Sequence, residues 1–154
     1  VLIKVIFPLL IIYFGLEHNL ILLWIMIWLL IETILYLGTL VFASDIFTRP
    51  RSYRRSMLLM FLNYLQIVFS FAALYANGNY LNKPFEHWFD SIYFSFVTSS
   101  TVGFGEFYPI TGMGKLLVCF QVMIFFIVVV MFLNFFSNKV ESKGYFDHTN
   151  KTEE

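Results

Sequence analysis

Residues Thr101-Val102-Gly103-Phe104-Gly105-Glu106 stand between two long apolar stretches and decide how the chain is read. Two glycines at alternate positions permit φ > 0, so this backbone can turn successive carbonyl oxygens toward one side. Thr101 adds a hydroxyl oxygen below its own carbonyl, and Val102 and Phe104 are expected to point away from that side, where packing holds the segment open. A row of such oxygens can replace the hydration shell of a cation, which places the chemistry in main-chain atoms and not in titratable groups.

The surrounding composition agrees with a non-aqueous setting. At 59% hydrophobic, 21% aromatic and 13% charged residues, with a mean hydropathy of +0.75, the chain exceeds the usage of soluble domains and implies an integral membrane protein. Its formal net charge of zero supplies no global field for nucleic acid or an acidic substrate, and no nucleic-acid partner is expected. Cys119 stands alone in an apolar run, so it can form no intrachain disulfide and is expected as a small buried hydrophobe. No nucleophile, metal cluster or acid–base pair points to an enzyme, and no cofactor is expected beyond a permeant ion.

A helix crossing about 30 Å of hydrocarbon needs about 20 apolar residues. Leu20 to Ala43, with Glu32 as its single charge, and Met57 to Ala76 and Leu116 to Phe136, with none, meet that length. Val1 to Leu16 is shorter and contains Lys4 and Pro8; it is read as a fourth span, in which Lys4 snorkels to the interface if the helix starts further upstream. No small-residue cleavage site follows it, which favours a retained helix over a targeting signal. Glu32 should face protein or water, with Lys4 or Asn63 as its partner.

Arg49, Arg51, Arg54 and Arg55 cluster between the second and third spans, which makes that link cytoplasmic and a contact for anionic lipid. Both termini then lie inside and the Glu17-His18-Asn19 turn outside. Asn77 to Met113 is too polar to span yet starts and ends outside, as a re-entrant loop must. Within it, Asn77-Gly78-Asn79 and Lys83-Pro84 mark an outer loop, and Trp88 to Ser99 reads as a short helix beginning near Pro84 to Glu86. The negative end of its dipole aims at Ser100 and Thr101, where a cation is favoured. Non-helical backbone at membrane depth must be buried by protein or lined by water, so the glycine-rich segment faces a pore.

Thr98-Ser99-Ser100-Thr101-Val102-Gly103-Phe104-Gly105-Glu106, followed by Tyr108-Pro109, resembles the Thr-rich run, TVGYGD filter and Tyr-Pro of the potassium-channel pore-domain family. The resemblance covers about residues 57 to 140. It implies an all-α membrane protein with four transmembrane helices, a re-entrant pore helix and a selectivity filter. Because one chain supplies one filter segment and a pore needs four, it also implies a C4 homotetramer. The chain would divide into an N-terminal transmembrane helix pair (1–45), a cytoplasmic linker (46–56), the pore domain (57–140) and a cytoplasmic tail (141–154). Passive, potassium-selective conduction at the plasma membrane is the implied function, with K+ at Thr101, Val102, Gly103 and Phe104 and with Gly105 completing the filter. Tyr93, Phe94, Val97, Ser100 and Glu106 would support it, and Tyr108 would face the external mouth and govern quaternary ammonium block.

Several positions depart from the family pattern. Phe104 stands where Tyr is usual, which removes a hydroxyl that would bond the pore helix. Tyr93-Phe94 replaces a pair that is often Trp-Trp, and Tyr93 is a candidate partner for Glu106. Val97 stands where some members carry a carboxylate, leaving Glu106 as external charge that would join Glu86 and Asp90 in a negative ring at the mouth. The last span has no Gly or Pro between Lys115 and Val140, so nothing predicts a kink. The gate is then the filter or a hydrophobic constriction, for which family register offers Phe126, Val129, Val130 and Leu133. Asn134 either lines the vestibule or bonds a neighbouring subunit, and Gln121 is expected to pack against the pore helix. Neither N-terminal helix carries an arginine series, which argues against an arginine-type voltage sensor. A non-selective cation channel of the same architecture and a potassium transporter subunit are the alternatives.

Overall fold

The computed structural model describes residues 1–42 and 53–141. Among them run five helices: α1 (Leu2–Tyr13), α2 (Leu20–Phe42), α3 (Tyr53–Asn77), α4 (Trp88–Ser99) and α5 (Gly112–Glu141). The described residues contain no strand, and a single antiparallel bridge joins Leu81 to Pro109. Three helices, α2, α3 and α5, are long and apolar enough to cross a membrane. Helix α1, the segment expected as a fourth span, has 12 described residues, about 18 Å of helix against a bilayer core of about 30 Å.

Helix α3 is the hub, packing against each of the other four. Half of its apolar window is buried within the single chain, against 22% for α2 and for α5. Ile67, Val68, Phe71, Ala72 and Tyr75 are all at most 2% exposed, and small residues such as Ala72 and Ala73 let α1 and α4 approach its axis closely. Where no hydrophobic effect acts between helices in lipid, polar contacts also join them. Thr33 on α2 donates its hydroxyl to Gln66 Oε1 on α3 at 3.0 Å, and Gln66 Nε2 donates to the Leu29 carbonyl at 3.2 Å. Asn77 Nδ2 donates to the Glu17 carbonyl and ties the end of α3 to the α1–α2 turn.

Lys4 Nζ lies 2.8 Å from Glu32 Oε2 and is the partner expected for Glu32. Twelve residues, about 18 Å, separate Leu20 from Glu32, and each charge offsets the cost of placing the other that deep. The link residues Arg49 and Arg51 and the side chain of Arg54 lie outside the described residues, and Arg55 is exposed at the start of α3. Helix α5 begins earlier than its apolar run suggests, because Thr111 Oγ1 accepts the Gly114 N–H at 3.1 Å as an N-cap.

Candidate functional site

The short helix α4 begins one turn after the outer loop and is capped there by a carboxylate. His87 sits in an extended conformation, and Asp90 Oδ2 accepts the backbone N–H groups of Glu86 and His87 at 3.0 Å each. This engagement at the positive end of the helix gives Asp90 a structural duty at the site where a free member of a negative ring was expected.

The other end of α4 passes directly into the Thr101–Gly105 segment. Val102 N–H donates to the Val97 carbonyl and Thr101 N–H to the Thr98 carbonyl, each at 3.1 Å. With Thr101 at φ 57, this is the 6→1 and 5→2 pattern of a Schellman motif, with threonine at the left-handed position where glycine is usual. Ser100 Oγ donates back to the Phe96 carbonyl at 2.8 Å and completes the stop. Left-handed backbone costs a non-glycine residue about 1–2 kcal/mol, and a β-branched residue is the rarer occupant.

Beyond the cap the alternation continues. Gly103 has φ 60 and Gly105 φ 81, while Val102 and Phe104 between them keep negative φ. Alternating handedness turns successive carbonyls toward one side, which is the backbone that cation coordination requires. Both glycines were expected to take this conformation; Thr101 was not. Thr101, already expected to offer its carbonyl and hydroxyl, thus shares the left-handed backbone of the two glycines. All six residues from Thr101 to Glu106 are exposed in the single chain, with Phe104 71% exposed.

Behind the segment lies a buried polar network joining three helices. Tyr75 (α3) donates its hydroxyl to Gln121 Oε1 (α5) at 2.7 Å. Gln121 Nε2 in turn donates to Ser99 Oγ at 2.6 Å and Ser95 Oγ at 2.8 Å on α4, and Ser95 Oγ donates to the Val68 carbonyl at 2.6 Å. Gln121, Tyr75, Ser95 and Ser99 are each at most 1% exposed. Gln121 thus packs against α4 as expected. Tyr75, Ser95 and Ser99 went unassigned in the sequence, although a lone glutamine in an apolar helix facing serines at i, i+4 is the signal that pairs them.

Phe94 is buried and meets Tyr75 edge-on at 4.8 Å between ring centres, then continues through Phe107 at 6.2 Å to Phe85. Tyr93 and Val97 line a cavity of about 350 Å³ against Thr101, Gly103 and Phe104. The proposed Tyr93–Glu106 bond is replaced: Lys83 Nζ holds Glu106 Oε1 at 2.9 Å, so Glu106 is a paired charge. Tyr108 is exposed beside it, and its backbone is held by Asn82. Neither Asn82 nor Lys83 carried a readable signal, because both sit in a turn-rich loop distant in sequence from the segment they touch.

On α5, Phe126, Val130 and Leu133 are exposed in the single chain and Val129 is half-buried; the side chain of Asn134 lies outside the described residues. One seam, Gln121, Ile124, Val128 and Met131, faces the rest of the chain. Cys119 lies off that seam and is exposed, correcting the expectation of burial: the apolar run surrounding it is apolar on every side, whereas only one side meets protein within the chain.

Three helices of membrane-crossing length, with a short helix and a segment of alternating backbone handedness between the last two, point to an ion channel. A protein-family profile described as Ion channel matches residues 56–142, more than half of the chain. The chain belongs to this family, that of the two-helix potassium-channel pore domain. Searches of curated proteins and of solved structures found no match.

Proposed function

We propose that this protein is a potassium-selective channel that conducts K+ passively through a filter at Thr101, Val102, Gly103, Phe104 and Gly105. The observation carrying this reading is the run of positive φ at Thr101, Gly103 and Gly105 within an intact TVGFG sequence. Four copies around one axis would complete the coordination shell, and the exposure of Val102 and Phe104 in the single chain leaves that side free for neighbouring copies. Phe126, Val129, Val130 and Leu133 then stand as candidate pore-lining residues of the inner half. The family match supports the reading of a channel and not an enzyme.

Helices α1 and α2 contain no arginine, and their charges Lys4 and Glu32 neutralise each other. This supports a pore opened by means other than an arginine-type voltage sensor. The arginine cluster from Arg49 to Arg55 would set a cytoplasmic link, hence cytoplasmic termini in the cell membrane, and would meet anionic lipid. The test is the reversal potential of the purified protein in planar bilayers with potassium on one side and sodium on the other. A value near the potassium limit is expected; a value near zero with robust current would favour a non-selective cation channel.

A further inference from the structure

The outer loop reaches across to the residues that follow the filter and grips them at several points. Asn82 N–H donates to the Tyr108 carbonyl at 3.0 Å, and its side-chain oxygen accepts the Tyr108 N–H at 2.9 Å. Its side-chain nitrogen also donates to the Glu106 carbonyl at 3.2 Å. One asparagine therefore satisfies backbone groups on both sides of Phe107. Lys83 adds the ion pair to Glu106 at 2.9 Å and lies 4.5 Å above the Phe107 ring, a cation–π distance.

The gripping segment is itself anchored. The Tyr80 carbonyl accepts the Ile110 N–H at 3.0 Å, and a Cβ at Gly114 would lie 2.9 Å from that same oxygen, so α5 and the loop are in close backbone contact. The filter has no such ties in its middle. Its inner end is held by the α4 cap, its outer end by this clamp, and among the described residues Gly103, Phe104 and Gly105 donate no backbone hydrogen bond.

We infer that Asn82 and Lys83 are positioning residues for the filter, clamping Glu106 to Tyr108 from the outer side and setting how long the filter backbone holds its conducting shape. The inference rests on the channel reading above. Hydrogen bonding to Glu106 holds the Lys83 ammonium above the ordinary lysine range. Lys83 and Glu106 are exposed, so replacing them leaves the helix packing intact.

The experiment compares parent, Asn82→Ala, Lys83→Glu, Glu106→Lys and the Lys83→Glu/Glu106→Lys double variant, all full-length and reconstituted. The first readout is the decay of macroscopic current during sustained opening at low external potassium. Each single variant should speed decay by about two- to fivefold per clamp, with the charge-swapped double variant returning toward parent. The second readout, amide hydrogen exchange of the peptide spanning residues 104–108, does not depend on which ion passes. Asn82→Ala should raise exchange there by about fivefold through loss of the Tyr108 acceptor. Parent-like decay and exchange in all single variants would overturn the clamp. A non-selective parent whose single variants still exchange faster would leave the clamp standing and remove the potassium reading.

Discussion

Helices α1 and α4 are each 12 residues long and end in the same Schellman geometry, yet they place different residues at its left-handed position. At the end of α1, Leu16 N–H donates to the Ile11 carbonyl and Gly15 N–H to the Ile12 carbonyl, with Gly15 at φ 64. At the end of α4 the same two bonds form around Thr101 at φ 57. The α1 stop uses the residue that adopts this backbone without strain. The α4 stop uses a β-branched residue and accepts a strain of about 1–2 kcal/mol.

Strain of that kind persists only where neighbouring structure over-determines it. Gly15 and the residues beside it are exposed, and no atom lies within 4 Å of a Cβ built there. Thr101 instead follows a helix pinned by Gln121, Tyr75 and the Ser95 to Val68 bond, all buried. One end is thus a local solution to stopping a helix, and the other is a local conflict resolved by three helices at once.

The comparison can be broken at its functional end first. Thr101→Gly keeps the left-handed backbone and removes the hydroxyl; thermal stability should be unchanged or higher by up to about 1 kcal/mol, while potassium selectivity in bilayers is lost. A destabilised but still selective variant would show that Thr101 is there for packing. Gln121→Leu should lower stability by roughly 2–4 kcal/mol, because the Tyr75 hydroxyl and Ser99 lose a buried partner. Conduction should fall with it, and thermal unfolding alongside single-channel recording checks whether the two losses travel together. The smallest effect belongs to Gly15→Ala, which should cost about 1 kcal/mol at the α1 stop and leave the reversal potential untouched.

Much of this was legible beforehand where the chemistry is local and repetitive. The three membrane-length helices follow from uninterrupted apolar runs, the short α4 from its amphipathic span, and the left-handed backbone at Gly103 and Gly105 from glycine's missing Cβ. The Lys4–Glu32 pair was reachable too, since a lone charge at membrane depth calls for an opposite one. Asp90 and Glu106 were harder, because a carboxylate in an outer loop reads equally well as solvated charge, helix cap or ion-pair partner.

What the chain dictates by itself is a membrane protein with a filter-like run after a short helix, because apolar length and glycine spacing act within a few residues of one another. Tertiary structure alone decided that Gln121 would bridge α4 to α3 and that Asn82 and Lys83 would bond the backbone and side chain of the Glu106 to Tyr108 stretch. Each of those depends on a hydrogen bond, an ion pair or a supporting contact between segments far apart in the chain. Residue type tells what such a group can bond, and only the packed helices bring its partner within 3 Å.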